Sequence, residues 1–412
     1  MKDDSIPEIN PGREREDSVL GVPDEGRVIQ LVNKILNDSI EQRASDVLIE
    51  PLEKELQIRF RIDGLLVKNL VLPKDLQDKV VSRIKVMSNL DISEHRLPQD
   101  GRFKTSNIKN REVDFRVSIV PCTEGEKVVL RILDKTTATL EIDKLGLSAA
   151  VVEAFKRNLA KPFGMILVCG PTGSGKTTTL YSALKHIDSV ERNIITVEDP
   201  VEYQLFGINQ VNVSEDIGLT FSRVLRSILR QDPDIILVGE IRDFETADIS
   251  IKAALTGHLL LSTLHTISAV GSIVRLINMG VEPFLIASSC LLVVSQVLAR
   301  RLCSDCKEAD PVNQEKINEL KSYGMTFEPG DTIYRPKGCA LCNNTGFRGR
   351  FALSEGLEIT PQIKELIIAA APEKEIFDVA VKEGMMTLRE GGAFFVQGGI
   401  TSVDEILRVT SF

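Results

Sequence analysis

The chain has 412 residues, 43% hydrophobic and 26% charged, and at about 150 residues per domain it predicts two or three domains. That balance excludes a largely disordered or fibrous chain. Fifty Lys and Arg against 59 Asp and Glu leave a net charge of −9, which argues against a protein that grips nucleic acid through a basic surface.

Residues 1–23 are charged and carry Pro7, Pro11 and Gly12, so they read as a disordered tail rather than a secretory signal. Val28, Leu31, Val32, Ile35 and Leu36 then recur at helical spacing. At Leu56, Ile58, Phe60 and Ile62 the period becomes two, a strand closed by an Asp63-Gly64 hairpin turn. Leu76, Val80, Ile84 and Met87 predict a second helix, and Val113–Ile119 and Val128–Leu133 two further strands. Residues 24–136 thus read as an α+β domain, followed by a linker at 137–147.

Between 148 and 301 short apolar runs alternate with helical stretches such as Phe221–Arg230 and Glu245–Leu255. The runs Met165–Cys169, Ile194–Val197, Ile235–Val238 and Leu259–Leu261 predict a parallel sheet covered on both faces. Val281–Ala299 is apolar enough to raise a membrane span, but Pro283, Gln296 and three serines interrupt it; it reads as a buried core helix of a soluble, cytoplasmic chain. A cysteine-bearing module is expected at 302–350 and a helical region at 351–412.

Gly170, Pro171, Thr172, Gly173, Ser174, Gly175, Lys176 and Thr177 match the full eight-position P-loop pattern, between an apolar strand and a helix starting near Lys176. Its glycines let backbone amides converge on phosphate, Lys176 reaches the terminal phosphates of ATP, and Thr177 ligates Mg²⁺. The strand Ile235–Val238 runs into Gly239-Glu240; with no Asp at the strand end, Glu240 is the acid in place to activate water. A second strand ends in Glu198 and Asp199, either a cation-facing pair or a turn opened by Asp199-Pro200. His258 and His265, half of the four histidines, bracket one strand, as packing residues or as reactive ones.

Cys303-x-x-Cys306 and Cys339-x-x-Cys342 offer four thiolates for a closed, structural Zn²⁺ site, a redox pair being the alternative. Cys122, Cys169 and Cys290 are expected to be inert core residues.

These motifs together resemble the secretion ATPases of bacterial type II secretion and type IV pilus assembly. The likeness rests on the P-loop Gly170–Thr178, the acidic Ile195–Glu202 box, Leu229–Asp243 with Glu240, and the histidine box from Leu255 through His258 to His265. It runs from about Arg27 to Thr410, and the paired Cys-x-x-Cys segments match the assembly and secretion branches rather than retraction motors. The resemblance implies a RecA-like P-loop motor domain, an N-terminal PAS-like domain that covers ATP, and a homohexamer. It also implies a peripheral location at the inner membrane, on a platform protein of a pilus or secretion system.

By the same resemblance Arg102, Arg116, Arg226 and Arg230 serve the phosphates or a subunit boundary, a surface ion pair being the alternative for each. His258 and His265 join Glu240 and Glu198 in catalysis, and Thr178 and Asp199 join the nucleotide and Mg²⁺ site. Leu48 and Ser354 depart from the family pattern, which has His and an aromatic there, and the chain begins short of a membrane-docking domain. Rival readings are a DNA-uptake or conjugation-type ATPase, disfavoured by the charge and 5% aromatics, and a non-hydrolysing ATP-binding scaffold.

Overall fold

The computed structural model describes residues 24–106, 112–133, 141–322, 325–328 and 330–411. The chain divides into two compact units, residues 1–136 and 137–412. The expected tail at 1–23 lies outside the described residues, as does the linker up to residue 140. Past it, Ile142 and Leu147 are already buried in the second unit, so the end of that stretch packs rather than links.

The first unit is one antiparallel sheet carrying two helices. Strands β1 (Ala44–Pro51), β2 (Glu55–Ile62), β3 (Leu65–Pro73), β4 (Gln99–Ser106), β5 (Glu112–Cys122) and β6 (Gly125–Leu133) pair in the order β3-β2-β1-β6-β5-β4. Helices α1 (Asp24–Glu41) and α2 (Gln77–Met87) cover one face. Alternation does this directly: Leu56, Ile58 and Phe60, with Phe115 and Leu130, join Val32 and Ile84 in one core. Each such buried side chain stabilises by about 1.5–3 kcal/mol. Asp63 (φ 49°) and Gly64 (φ 89°) make the β2–β3 turn, both in the left-handed region that this tight hairpin requires.

The second unit is built on a seven-stranded sheet. Its strands are β7 (Gly164–Cys169), β8 (Ile194–Glu198), β9 (Asn209–Asn212), β10 (Ile235–Val238), β11 (Leu259–Leu264) and β12 (Cys290–Leu302). A small pair, β13 (Glu308–Pro311) and β14 (Thr332–Arg335), precedes the last strand, β15 (Phe347–Glu358). The order is β15-β12-β7-β11-β10-β8-β9. All neighbours are parallel except β15, which is antiparallel to β12, so the sheet is mixed rather than purely parallel.

Along β7 the apolar residues alternate between two cores. Met165 and Leu167 face α5 (Phe221–Ile228), α6 (Phe244–Leu255), α7 (Ala269–Asn278) and α8 (Pro283–Ser289). Ile166 and Val168 face α3 (Ala149–Leu159) and α4 (Lys176–Ile187). A further core joins the distal halves of β12 and β15 to α9 (Gln314–Ser322), α12 (Leu388–Gln397) and α13 (Val403–Thr410). Helices α10 (Pro361–Ile368) and α11 (Glu373–Lys382) lie against the first of these cores.

Three expectations are corrected here. The run 281–299 is not one core helix: it is α8 followed by most of β12, where Leu292, Val293 and Val294 favour a strand buried on both faces. Residues 351–358 are strand, not helix, so the central sheet takes its edge from beyond the cysteine module. Cys122 is exposed at the end of β5 rather than in a core. Cys169 and Cys290 are buried as expected, and burial pushes both thiols up, Cys290 to about 12. Ser354 sits buried on β15, its hydroxyl accepting from Ser148 N at 3.3 Å, and Leu48 is buried on β1.

Candidate nucleotide site and metal centre

Parallel strands deliver their loops to one edge, so whatever follows β7, β8, β10 and β11 gathers at the carboxyl ends of the sheet. After β7 comes the loop 170–175, and Lys176 opens α4. Gly170 has φ 145°, and a Cβ there would stand 2.2 Å from Gln296 O, so no other residue fits. Gly175, at φ 88°, is the left-handed N-cap of α4. Ser174 is buried, and its Oγ has no hydrogen-bond partner, an orphaned polar atom in a loop suited to an anion. The Lys176 ammonium donates to Gly170 O at 2.8 Å and Pro171 O at 3.1 Å. Burial pulls its pKa down, and the Glu240 carboxylate opposes that shift.

Glu240 follows β10 and is buried. Its two oxygens are held separately, one 3.0 Å from His265 Nε2 and the other 2.5 Å from an Arg242 nitrogen. The carboxylate raises the Arg242 pKa through that hydrogen bond. Thr263 Oγ1 donates to Gly239 O at 2.7 Å and Ile241 N to Thr263 O at 3.0 Å, which stitches the β10 and β11 exits together. His265, just past β11, is thereby carried to Glu240.

The other expected residues are distributed differently. Glu198 and Asp199 do not form a pair: strand alternation turns Glu198 inward and leaves Asp199 exposed. The Glu198 carboxylate accepts from Thr196 Oγ1 at 2.6 Å, from Gln210 Nε2 at 3.1 Å and from the Tyr181 hydroxyl. Burial, and then Glu198, push the Tyr181 phenol far above its usual range, so it stays a donor. Glu198 therefore ties β8 to α4 from inside the sheet.

His258 precedes β11, and its carbonyl accepts from Gly164 N at the start of β7. At about 3.3 Å per residue, the six-residue strand separates it from the phosphate edge by roughly 20 Å. Its Nδ1 lies 3.0 Å from Ala253 O, so the structure places it as a cap on α6, away from Glu240.

Arg226 lies on α5 and meets Glu245 at 2.5 Å, both exposed. Arg230 lies past the end of α5 rather than on its face, donating to Arg226 O at 2.7 Å. In the first unit Arg102 on β4 and Arg116 on β5 stand directly opposite one another, and Arg131 on β6 is opposite Arg116 in turn. Facing like charges oppose folding, and Asp46 offsets the charge of Arg131 from 3.2 Å.

The four cysteines converge as their spacing predicts. The Sγ atoms of Cys303, Cys306, Cys339 and Cys342 all lie within 4.8 Å of one another, with pairs at 3.7, 3.8 and 3.9 Å. A tetrahedron with metal–sulfur bonds of about 2.3 Å has sulfur–sulfur edges of about 3.8 Å, so the donor set fits Zn²⁺. Backbone N–H groups of Cys339 and Gly346 point at Cys342 Sγ, at 3.1 and 3.2 Å. Burial works against the Cys342 thiolate, but these donors and the neighbouring thiols hold its pKa down to about 7.

Sequence reasoning noted Gln296 only as a break in an apolar run and passed over Gln210 and Tyr181, all of which touch these elements. Gln296 left a signal: it is a lone amide in the apolar run Leu291–Ala299, and a buried amide needs partners.

The fold and this edge define a mixed α/β protein of the secretion-ATPase kind. The fold resembles that of the Legionella pneumophila ATPase DotB, at TM-score 0.68 and 20% identity over 93% of this chain and 95% of that one. It also resembles the pilus retraction motor PilT with bound ADP, at TM-score 0.60 and 25% identity over 92% and 97%.

Residues 22–408 match the model of the type II/IV secretion system protein family, and the chain belongs to that family of secretion and pilus ATPases. It is 47% identical to the type IV pilus assembly ATPase PilB of Myxococcus xanthus, over 99% of this chain and 72% of that protein. It is 48% identical to the type II secretion system protein E of Klebsiella pneumoniae, over 96% and 78%. Among the described residues no helix is long and apolar enough to cross a membrane.

Proposed function

We propose that the chain is a Mg²⁺-dependent ATP-hydrolysing motor that works as a homohexamer at the inner membrane. There it drives a platform protein to assemble a type IV pilus or the pseudopilus of type II secretion. The observation that carries the reading is the edge where Lys176, Glu240 and His265 leave three adjacent strands beside a glycine loop. The relatives' names supply the filament, and their near-equal identities favour neither system.

The assigned roles combine the family resemblance with the geometry of the edge. Residues Gly170–Thr178 take the phosphates, with Lys176 leaving its carbonyl contacts for phosphate oxygens. Glu240, steadied by His265 and Arg242, takes the proton from the attacking water as its oxygen bonds to the γ-phosphorus and ADP leaves. Thr177 and Asp199 would hold Mg²⁺, which would supply charge neutralisation for the phosphates. Arg102, Arg116, Arg226 and Arg230 are assigned to the charge that develops there or to the boundary with the next subunit.

Glu198 is assigned to positioning α4 through Tyr181, and His258 to capping α6, in place of catalytic roles. The four cysteines hold a structural Zn²⁺, which supplies cross-linking free energy and no chemistry.

Phosphate release with Mg²⁺ and ATP tests the hydrolytic reading; an inactive hexamer that binds ATP would return the protein to the scaffold class. Elemental analysis tests the metal: about one Zn per chain is expected, lost in Cys303→Ser with a lower melting temperature. A metal-free wild type of unchanged stability would refute it.

A further inference from the structure

The geometry points to Gln296 as the residue that sets the phosphate loop: a positioning residue that aims the Gly175 amide at phosphate without touching nucleotide itself. The inference rests on the phosphate-site reading above and adds to it.

Strands β7 and β12 are parallel neighbours, with Val294 opposite Val168 and Ser295 opposite Cys169. There β7 ends and turns into the loop, while β12 continues to Leu302. Gln296 is thus the first residue of β12 to lie beside the loop, and its carbonyl crowds Gly170 so closely that only glycine fits. Its side chain is 1% exposed. Gln296 Nε2 donates to Ser174 O at 2.8 Å, and Gln296 Oε1 accepts from Thr179 Oγ1 at 2.8 Å. One amide therefore joins the tip of the loop to the second turn of α4.

The consequence lies in the peptide plane. In a trans peptide the carbonyl and the following N–H point in opposite directions. Holding Ser174 O against β12 therefore turns the Gly175 N–H away from β12, which in this proposal is toward the phosphates. Gly175 sits at φ 88°, which glycine adopts without steric cost, so no side chain fixes this peptide and it has something to gain from a clamp. The Ser174 carbonyl can only accept, which fixes Nε2 toward the loop, and Thr179 has the complementary task of holding the Oε1 end in place by donating to it.

Steady-state ATPase kinetics on the full chain test the clamp. Gln296→Met, close in volume, should raise the KM for MgATP about tenfold while kcat changes less than about threefold, as expected for one lost buried hydrogen bond that acts on binding. Thr179→Val should shift KM in the same direction, and Thr179→Ser, which keeps the hydroxyl, should restore wild-type kinetics. The double variant Gln296→Met/Thr179→Val should be no worse than Gln296→Met alone, because the two side chains form one chain of bonds.

A Gln296→Met protein that melts lower but keeps its KM would make Gln296 a core residue only, and additive effects would break the chain. If Gln296→Met fails to fold, the Thr179→Val and Thr179→Ser pair decides by the same KM criterion. Lys176→Ala run in parallel separates the two claims. If it loses nucleotide and Gln296→Met does not, the clamp fails alone; if Lys176→Ala binds normally, the phosphate site fails with it.

Discussion

Strand β11 has a histidine at each end, and the two ends of the central sheet have opposite chemistry. At the carboxyl end, Glu240 is held between His265 and Arg242, and Lys176 is buried within reach of the Glu240 charge. At the other end the polar groups close on one another. Asn193 donates to Asp234, Gln231 and Asp232, Leu259 N donates to Asp234 O, and His258 caps Ala253. One end gathers charged groups around Glu240; the other pairs its polar groups with one another. The difference follows from direction: parallel strands all send the loops that leave them to the same edge.

The sharpest way to break the contrast is Lys176→Ala. It should reduce hydrolysis by more than about a hundredfold and weaken nucleotide binding, read by phosphate release and a fluorescent ATP analogue. Next in size, His265→Ala should lower kcat by about tenfold or more with KM little changed, because it frees a Glu240 oxygen without touching the loop. Arg116→Ala should lower kcat more than ATP affinity, by about tenfold; equal losses of both would point to folding damage. The smallest effect belongs to the other end: His258→Ala should keep kcat and KM within about twofold and cost about 1 kcal/mol of stability, measured by denaturant unfolding. Parity between the two histidine variants in kcat would erase the distinction drawn here.

Legibility in the sequence followed the range over which each feature is determined. The loop 170–177 and the two Cys-x-x-Cys pairs are local patterns, and both sit as their spacing implied. Glu240 was legible as a candidate because the apolar strand Ile235–Val238 ends just before it, at the carboxyl edge of a parallel sheet. The histidines were read as bracketing one strand, and a strand puts its two ends at opposite edges of the sheet, so His265 meets Glu240 and His258 meets Ala253 O. Glu198 misled because adjacent residues on a strand point apart.

The run 281–299 could not be resolved by hydropathy, since a buried helix and a doubly buried strand are both uniformly apolar. The strand at 347–358 was hidden for a different reason: its partner β12 lies some fifty residues earlier, across the cysteine module. Gln296 combined both difficulties, a single polar residue whose two partners lie 117 and 122 positions away.

The most direct measurement is made on Glu240→Gln, which keeps the shape of the side chain and its contact with Arg242 or His265 while removing the base. Binding of a fluorescent ATP analogue should stay within about twofold of wild type, and phosphate release should fall by about a hundredfold or more. Hydrolysis at the wild-type rate in this variant would contradict the assignment of Glu240 and the account of the carboxyl edge built on it.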